Sequence, residues 1–280
     1  MCGSVLRCSG VLVHWCSNFA FNAKEYMQKA TRSQLKKVKD LLRDKKSRDE
    51  SGLFVVEGEK IIRDAADKGI LPEEVFMASS FGAEAPAESR NGNFSVSVKD
   101  MEKISSLRTS QGILAVFRKT DGSIAELIDT EKKIIVLADG MQDPGNLGSL
   151  LRSSSAFGAG GVLLYGDTVD VYNPKVVRAS GGAVLDIPVV VSSVEDIETV
   201  KSGGFSVMAG SVSGDGAKPL ESAVSFPDRV VLAFGSEGQG LSREIEALAD
   251  EKFYIPIENR MESLNVTVAA SIALYFFSKR

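Results

Sequence analysis

The sequence predicts an α/β protein, with a mostly parallel sheet covered on both faces and a smaller N-terminal α/β domain ahead of it. Three observations carry this. Ile134 to Ala138 form a continuous apolar, β-branched run of the kind a doubly buried parallel strand shows. The later runs GVLLY, IPVVV, FSVMAG, RVVLAFG and FYIPI alternate with helical stretches, the pattern of a parallel sheet wrapped by helices. At 280 residues the chain exceeds what one ordinary domain requires, so two domains are expected.

Taken in order, residues 1–23 contain no Asp or Glu and little Arg, with several Ser, Cys and Val. This poverty in acids is that of an organellar transit peptide, and the Ser and Cys content tilts the address to the chloroplast over the mitochondrion. A disordered leader and a signal-like segment are the alternatives. Its apolar run is too short and interrupted for a membrane span. From Lys24 to Glu50 there are ten Lys or Arg against five Asp or Glu, with Leu35, Val38, Leu41 and Leu42 at helical spacing. One amphipathic basic helix is expected. Lys36, Lys37, Lys39, Arg43, Lys45 and Lys46 on it suit RNA phosphates, or else form a solvated face. GLFVVEG, EKIIRDAADKG, PEEVFMA, FSVSV, DMEKISSL and GILAVFR then complete a βαββαβ-like domain over residues 24–118. The polar stretch 119–132 reads as a linker, and 133–280 as the second domain.

Composition narrows the chemistry. Cys2, Cys8, Cys16 and the only histidine, His14, all lie in the leader. His-based triads, Cys–His nucleophiles and thiolate or imidazole zinc centres are therefore excluded from the folded body, and no metal is expected. A net charge of −4 argues against a wholly basic surface but permits a local basic stripe. The candidates left are Arg, Asn, Ser, Glu and backbone groups.

Three strand-end stretches concentrate them. After Ile134 to Ala138 come Asp-Gly and DPGNLGS, where Gly148 permits close backbone approach and a helix runs from about Leu147 to Phe157; Asn146 and Arg152 are expected to face one crevice. The second, FGSEGQGLS, places Gly235, Ser236, Glu237, Gly238 and Gly240 before a helix from about Ser242. Its density of glycine suits a ligand lying on main chain, or equally a plain strand-to-helix turn. In the third, a strand ends at Ile257 and Ser263 stands at the start of an apolar helix, where an N-cap role is the ordinary one. Neither G-x-G-x-x-G nor G-x-x-x-x-G-K-[ST] is present, which removes the usual support for dinucleotide or P-loop binding.

DPGNLGSLLRSSSAFG, FGSEGQGLS and IPIENRMESLNVTVAASIALYFF resemble the three motifs of the SpoU (TrmH-type) RNA 2′-O-ribose methyltransferases of the SPOUT superfamily. LKKVKDLLRDKKSRDESGLFVVEGEKIIRDA and TSQGILAVF resemble that family's substrate-binding domain, with less specificity. The resemblance implies a trefoil-knotted sheet, an S-adenosylmethionine pocket between the second and third motif loops, and a homodimer with its site near the interface. It assigns Gly235, Ser236, Gly238, Ile255, Ile257 and Leu264 to the cofactor, and Asn146, Arg152, Glu237, Ser263 and Asn265 to the reaction centre. The implied substrate is organellar ribosomal RNA, with tRNA, or a catalytically inactive RNA-binding protein, as alternatives.

Overall fold

The computed structural model describes residues 27–82, 85–120, 122–212, 216–222, 227–258 and 263–279. The leader 1–23 and its transit-peptide reading lie outside the described residues. The expected α/β architecture is found, as two sheets.

The first sheet has the order β1-β4-β3-β5-β2, with β1 Gln28–Lys29, β2 Leu53–Glu57, β3 Glu74–Ala78, β4 Asn93–Val96 and β5 Ile113–Arg118. Its helices are α1 Arg32–Arg43, α2 Lys45–Ser51, α3 Glu59–Asp67 and α4 Val98–Ile104. The single basic helix expected over 24–50 is broken. Gln28 and Lys29 pair with β4 as a strand, and Thr31 opens α1 through a capping box with Gln34. Asp44 then stops α1 at φ −120° and ψ 120° and caps α2 by accepting from the backbone of Lys46 and Ser47. An Asx residue that bonds the next turn's amides breaks a helix that hydrophobic spacing alone would continue.

Alternate residues of β2, β3 and β5 face opposite cores. Val55, Phe76, Leu114 and Val116 pack with Val38, Leu41, Phe94 and Met101 under α1 and α4. Phe54, Val56, Met77, Ala115 and Phe117 belong to a cluster that continues into the second sheet. Arg48, 3% exposed, seals that junction. Its Nε and Nη2 both donate to Asp170 Oδ2, at 2.9 and 2.6 Å, while Nη1 donates to the Leu41 carbonyl. The Tyr172 ring packs tilted against Phe54, 4.7 Å between centroids, and its hydroxyl donates to the Thr120 carbonyl.

The second sheet is ordered β10-β12-β9-β11-β6-β7-β8, and every pairing in it is parallel. Its strands are β6 Ile134–Asp139, β7 Gly161–Tyr165, β8 Val189–Val191, β9 Ser206–Gly210, β10 Lys218–Pro219, β11 Val230–Phe234 and β12 Glu251–Tyr254. The helices are α5 Ile124–Asp129, α6 Pro144–Ala156, α7 Pro174–Ala179, α8 Val194–Ser202, α9 Arg243–Leu248 and α10 Val266–Phe277. The chain runs outward from β6 through β7 to β8 and then returns to the other side of β6. The switch point of the sheet therefore falls between β6 and β11, where ligands of open α/β sheets bind.

Part of the expected linker is structured. α5 buries Leu127 fully in a cluster with Ile135, Leu137, Ile197 and Val231, and Arg229 donates to the carbonyls of Ile128 and Thr130. The third expected strand stops at Tyr254 rather than Ile257, because Pro256 has no N–H for the ladder.

Gly148 is needed for packing. A Cβ there would lie 2.4 Å from Ala179 Cβ and 2.7 Å from the Val176 carbonyl oxygen, so α6 and α7 cross on a bare backbone. Gly148→Ala should therefore cost about 1–3 kcal/mol of overpacking, measured by denaturant unfolding. An unchanged unfolding midpoint would show that the two helices separate freely.

Candidate active site

The turn after β6 starts a helix earlier than expected. Asp143 accepts from the Asn146 amide at 2.8 Å and Pro144 takes the first helical position, where its missing N–H costs nothing. This holds Asn146 in the first turn of α6, at the switch point.

After β11 the chain folds back tightly. Ser236 and Gly240 exchange backbone hydrogen bonds of 3.0 and 2.9 Å, with Gly240 at φ +70°. Gly235 lies directly beneath, and a Cβ on it would stand 2.0 Å from the Gly240 carbonyl carbon. The turn thus needs the special conformation expected of a strand-to-helix loop, and Gly235 and Gly240 also line a cleft.

At the third stretch, the cap of α10 is Asn265, whose Oδ1 accepts from Thr267 N and Oγ1 at 2.9 and 2.6 Å. Ser263 lies two residues earlier and lines the cleft instead. The sequence signal was ambiguous because Ser and Asn cap equally well.

The three stretches meet at one carboxylate. Glu237 Oε1 accepts from Asn146 Nδ2 at 2.7 Å and from Asn265 Nδ2 at 2.8 Å, and Asn265 Nδ2 also reaches Asn146 Oδ1 at 3.2 Å. One turn pair further along, Ser153 and Ser271 hydroxyls join α6 to α10 at 2.7 Å. Beside this cluster opens a cleft of about 930 Å³ at the carboxyl ends of β9, β11 and β12. Gly235, Ser236, Glu237, Ile255, Ile257, Ser263, Leu264 and Asn265 line it, whereas Gly238, Asn146 and Arg152 do not. Ala209, Gly210, Ser211 and Val212 complete the wall. They were not singled out from the sequence, although a Gly-Ser at the end of an expected strand was the available signal. Lys252 and Glu246 pair at 3.1 Å on the same lining.

Arg152 does not share the Asn146 crevice. Six residues amount to about 600° of helix, so the two side chains leave α6 about 120° apart. Arg152 is exposed and lies over the turn after α7, about 3.8 Å from where a Gly181 Cβ would be. Among the described residues it makes no hydrogen bond or ion pair. At the end of β7, burial together with Glu244, Asp139 and Glu195 pushes the Tyr165 phenol up, so it is uncharged at neutral pH.

Carboxylates reach four of the six cations expected to meet RNA. Lys36 pairs with Asp40, Lys37 with Glu74, Lys45 with Asp49 and Lys46 with Glu50. α1 also packs on the face of the first sheet turned away from the second.

A parallel sheet with a glycine-walled cleft and a polar cluster at its switch point has the form of an α/β protein with a candidate ligand site at its strand ends. The family follows from comparison. The SpoU rRNA methylase family model matches residues 133–275 and the MRM3-like substrate binding domain matches residues 32–115; the chain belongs to the SpoU rRNA methylase family. The 23S rRNA (guanosine(2553)-2′-O)-methyltransferase RlmP of Bacillus subtilis is 29% identical over 252 residues, covering 89% of this chain and 98% of that protein. Human mitochondrial rRNA methyltransferase 3 is 32% identical over 164 residues, covering 56% of this chain and 39% of its own. An AdoMet-bound rRNA methyltransferase from Sinorhizobium meliloti superposes with a TM-score of 0.77 at 29% identity, over 89% of this chain and 95% of that one. AviRb from Streptomyces viridochromogenes, in complex with AdoMet, gives 0.75 at 25% identity, over 88% and 98%.

Gly235→Ala should break the Ser236–Gly240 bridge, because the added methyl cannot coexist with Gly240. Amide hydrogen exchange should then quicken at Ser236 and Gly240 while Val230 to Phe234 remain protected. Undisturbed protection at both amides would contradict the close contact.

Proposed function

We propose that this chain transfers a methyl group from S-adenosylmethionine to a ribose 2′-hydroxyl of ribosomal RNA in an organelle. The observation that carries the reading is the convergence of Asn146, Glu237 and Asn265, from three strand-end stretches, beside the cleft. Membership of the SpoU family, and relatives whose names specify rRNA 2′-O-methylation, support it. In this reading the cleft lined by Gly235, Ser236, Ile255, Ile257 and Leu264 holds the cofactor, with Gly238 on the same loop. The trefoil-knotted threading belongs to the same proposal; residues 259–262, within the third motif, lie outside the described residues. The unit matched as substrate-binding grips the RNA, and the acid-free leader is the address, with the chloroplast slightly ahead of the mitochondrion.

S-Adenosylmethionine supplies an electrophilic methyl on a sulfonium. The protein must then place the 2′-oxygen in line with it and favour loss of the hydroxyl proton, and positioning accounts for much of such a rate. Glu237, anchored by two amides, fixes the cleft wall against α6 and α10. Arg152 lies on the adjoining face of α6, without a hydrogen bond or ion pair among the described residues. A guanidinium is a poor base, so the role of Arg152 is to hold a phosphate or to stabilise the developing alkoxide.

The dimer has its own support. Val268, Ile272 and Tyr275, spaced four and three residues apart, form one exposed apolar stripe on α10, at 47%, 39% and 54% exposure. A second copy of this chain is the occupant proposed for that stripe. Sedimentation should give a dimer for the wild type and a monomer for Ile272→Glu; a monomeric wild type would contradict it.

Calorimetry should show S-adenosylmethionine binding and no NAD or ATP binding. Arg152→Ala should abolish transfer, losing at least about 2–4 kcal/mol of transition-state stabilisation, while cofactor affinity stays within a few-fold. Binding of NAD alone would defeat the proposal. Full activity in Arg152→Lys would show that the planar two-pronged guanidinium is not needed, and would defeat the role given to Arg152.

A further inference from the structure

Asp139 is a buried carboxylate that the proposed reaction does not use. It ends β6 with only 4% of its surface exposed. Its Oδ2 accepts from the backbone N–H of Ser242 at 2.6 Å, across 103 residues of sequence. On its other side, a Cβ at Gly166 would come 3.3 Å from Oδ1, so the carboxylate is enclosed by the turn that follows β7.

Ser242 is where the second glycine turn ends and α9 begins. Its side chain makes no capping bond, and its Oγ is buried without a partner among the described residues. Asp139 is thus the group that satisfies this end of the loop. A charge-assisted bond to a backbone amide is stronger than a neutral one, and a carboxylate is costly to bury unless such a bond holds it. The loop is therefore pinned twice, by the Ser236–Gly240 bridge at its start and by Asp139 at its end. Glu237 and Leu241, both on the cleft lining, lie between Gly235 and the second pin.

We propose that Asp139 is a positioning residue, which sets the cofactor affinity of the cleft by anchoring the 235–242 loop to the end of β6. It touches neither cofactor nor substrate, and it links the strand that leads to Asn146 with the loop that presents Glu237. This rests on the assignment of the cleft to S-adenosylmethionine.

The bond can be removed from either side. Ser242 has φ −66°, which matches the fixed φ of proline, so Ser242→Pro deletes the donor while keeping the local backbone angle. Asp139→Ala deletes the acceptor, and Asp139→Asn keeps an acceptor oxygen without the charge. Calorimetry on the full chain should show Asp139→Ala and Ser242→Pro each weakening S-adenosylmethionine binding by about tenfold, with Asp139→Asn in between. The double variant should be no weaker than either single one, because the second change removes a bond already lost. RNA affinity without cofactor should stay at the wild-type value, a separation that a general loss of stability would not give. Single variants within about twofold of a wild type that binds, or effects that multiply in the double variant, would overturn the proposal. A lowered melting temperature with unchanged cofactor affinity would overturn it too, leaving Asp139 structural only. Failure of the wild type itself to bind S-adenosylmethionine would instead overturn the functional reading, and the assigned role of Asp139 with it.

Discussion

The hydrogen bonds that Asn146 and Asn265 donate to one oxygen of Glu237 are the interaction on which the site depends. They join α6, the loop after β11 and α10, which are far apart in sequence, at the point where the parallel sheet changes winding direction. Bonds of an amide to a carboxylate are stronger than neutral ones, yet on an exposed cluster they hold geometry more than they add stability. What makes the geometry possible is packing beneath it. α6 approaches α7 closely enough that Gly148 has no room for a methyl, and the turn after β11 folds so tightly that Gly235 has none either. Two side-chain-free positions thus set where three polar side chains meet.

The two sheets behave as one packed body at their junction. Phe54, Tyr172 and the Arg48–Asp170 pair occupy it, and Arg48 and Asp170 side chains are 4% and 11% exposed. Breaking so buried a pair by removing one partner leaves an uncompensated charge. Substrate held by the first sheet would therefore meet the cleft in a fixed relation, without a swinging domain to be ordered first. That suits a reaction whose rate comes from placement of two atoms in line.

Much of the fold was legible in the sequence because buried parallel strands write themselves as apolar, β-branched runs. Ile134 to Ala138 and Val230 to Phe234 fall in adjacent, fully buried strands. The glycine-dense turns were legible as well, since glycine marks close approach wherever it is unavoidable. Misreadings came where a local rule competes with tertiary context. Spacing extended the basic helix through Asp44, whose side chain caps the next helix. Polarity marked 119–132 as linker, although Leu127 anchors a helix in the core. Ser263 was the expected cap of the last helix, but Asn265 caps it, accepting from the Thr267 amide. Asn146 and Arg152 were expected in one crevice, and helical geometry separates them. Of the carboxylates that reach the basic helices, only Glu74, the partner of Lys37, comes from elsewhere in the chain; Asp40, Asp49 and Glu50 stand four residues from their lysines.

Ribose methylation of ribosomal RNA can be checked by mapping 2′-O-methylated nucleotides across chloroplast and mitochondrial rRNA with and without this protein. One ribose methyl group should disappear from organellar rRNA when the protein is removed and return when it is restored. An organellar rRNA methylation map that is identical in both states would contradict it.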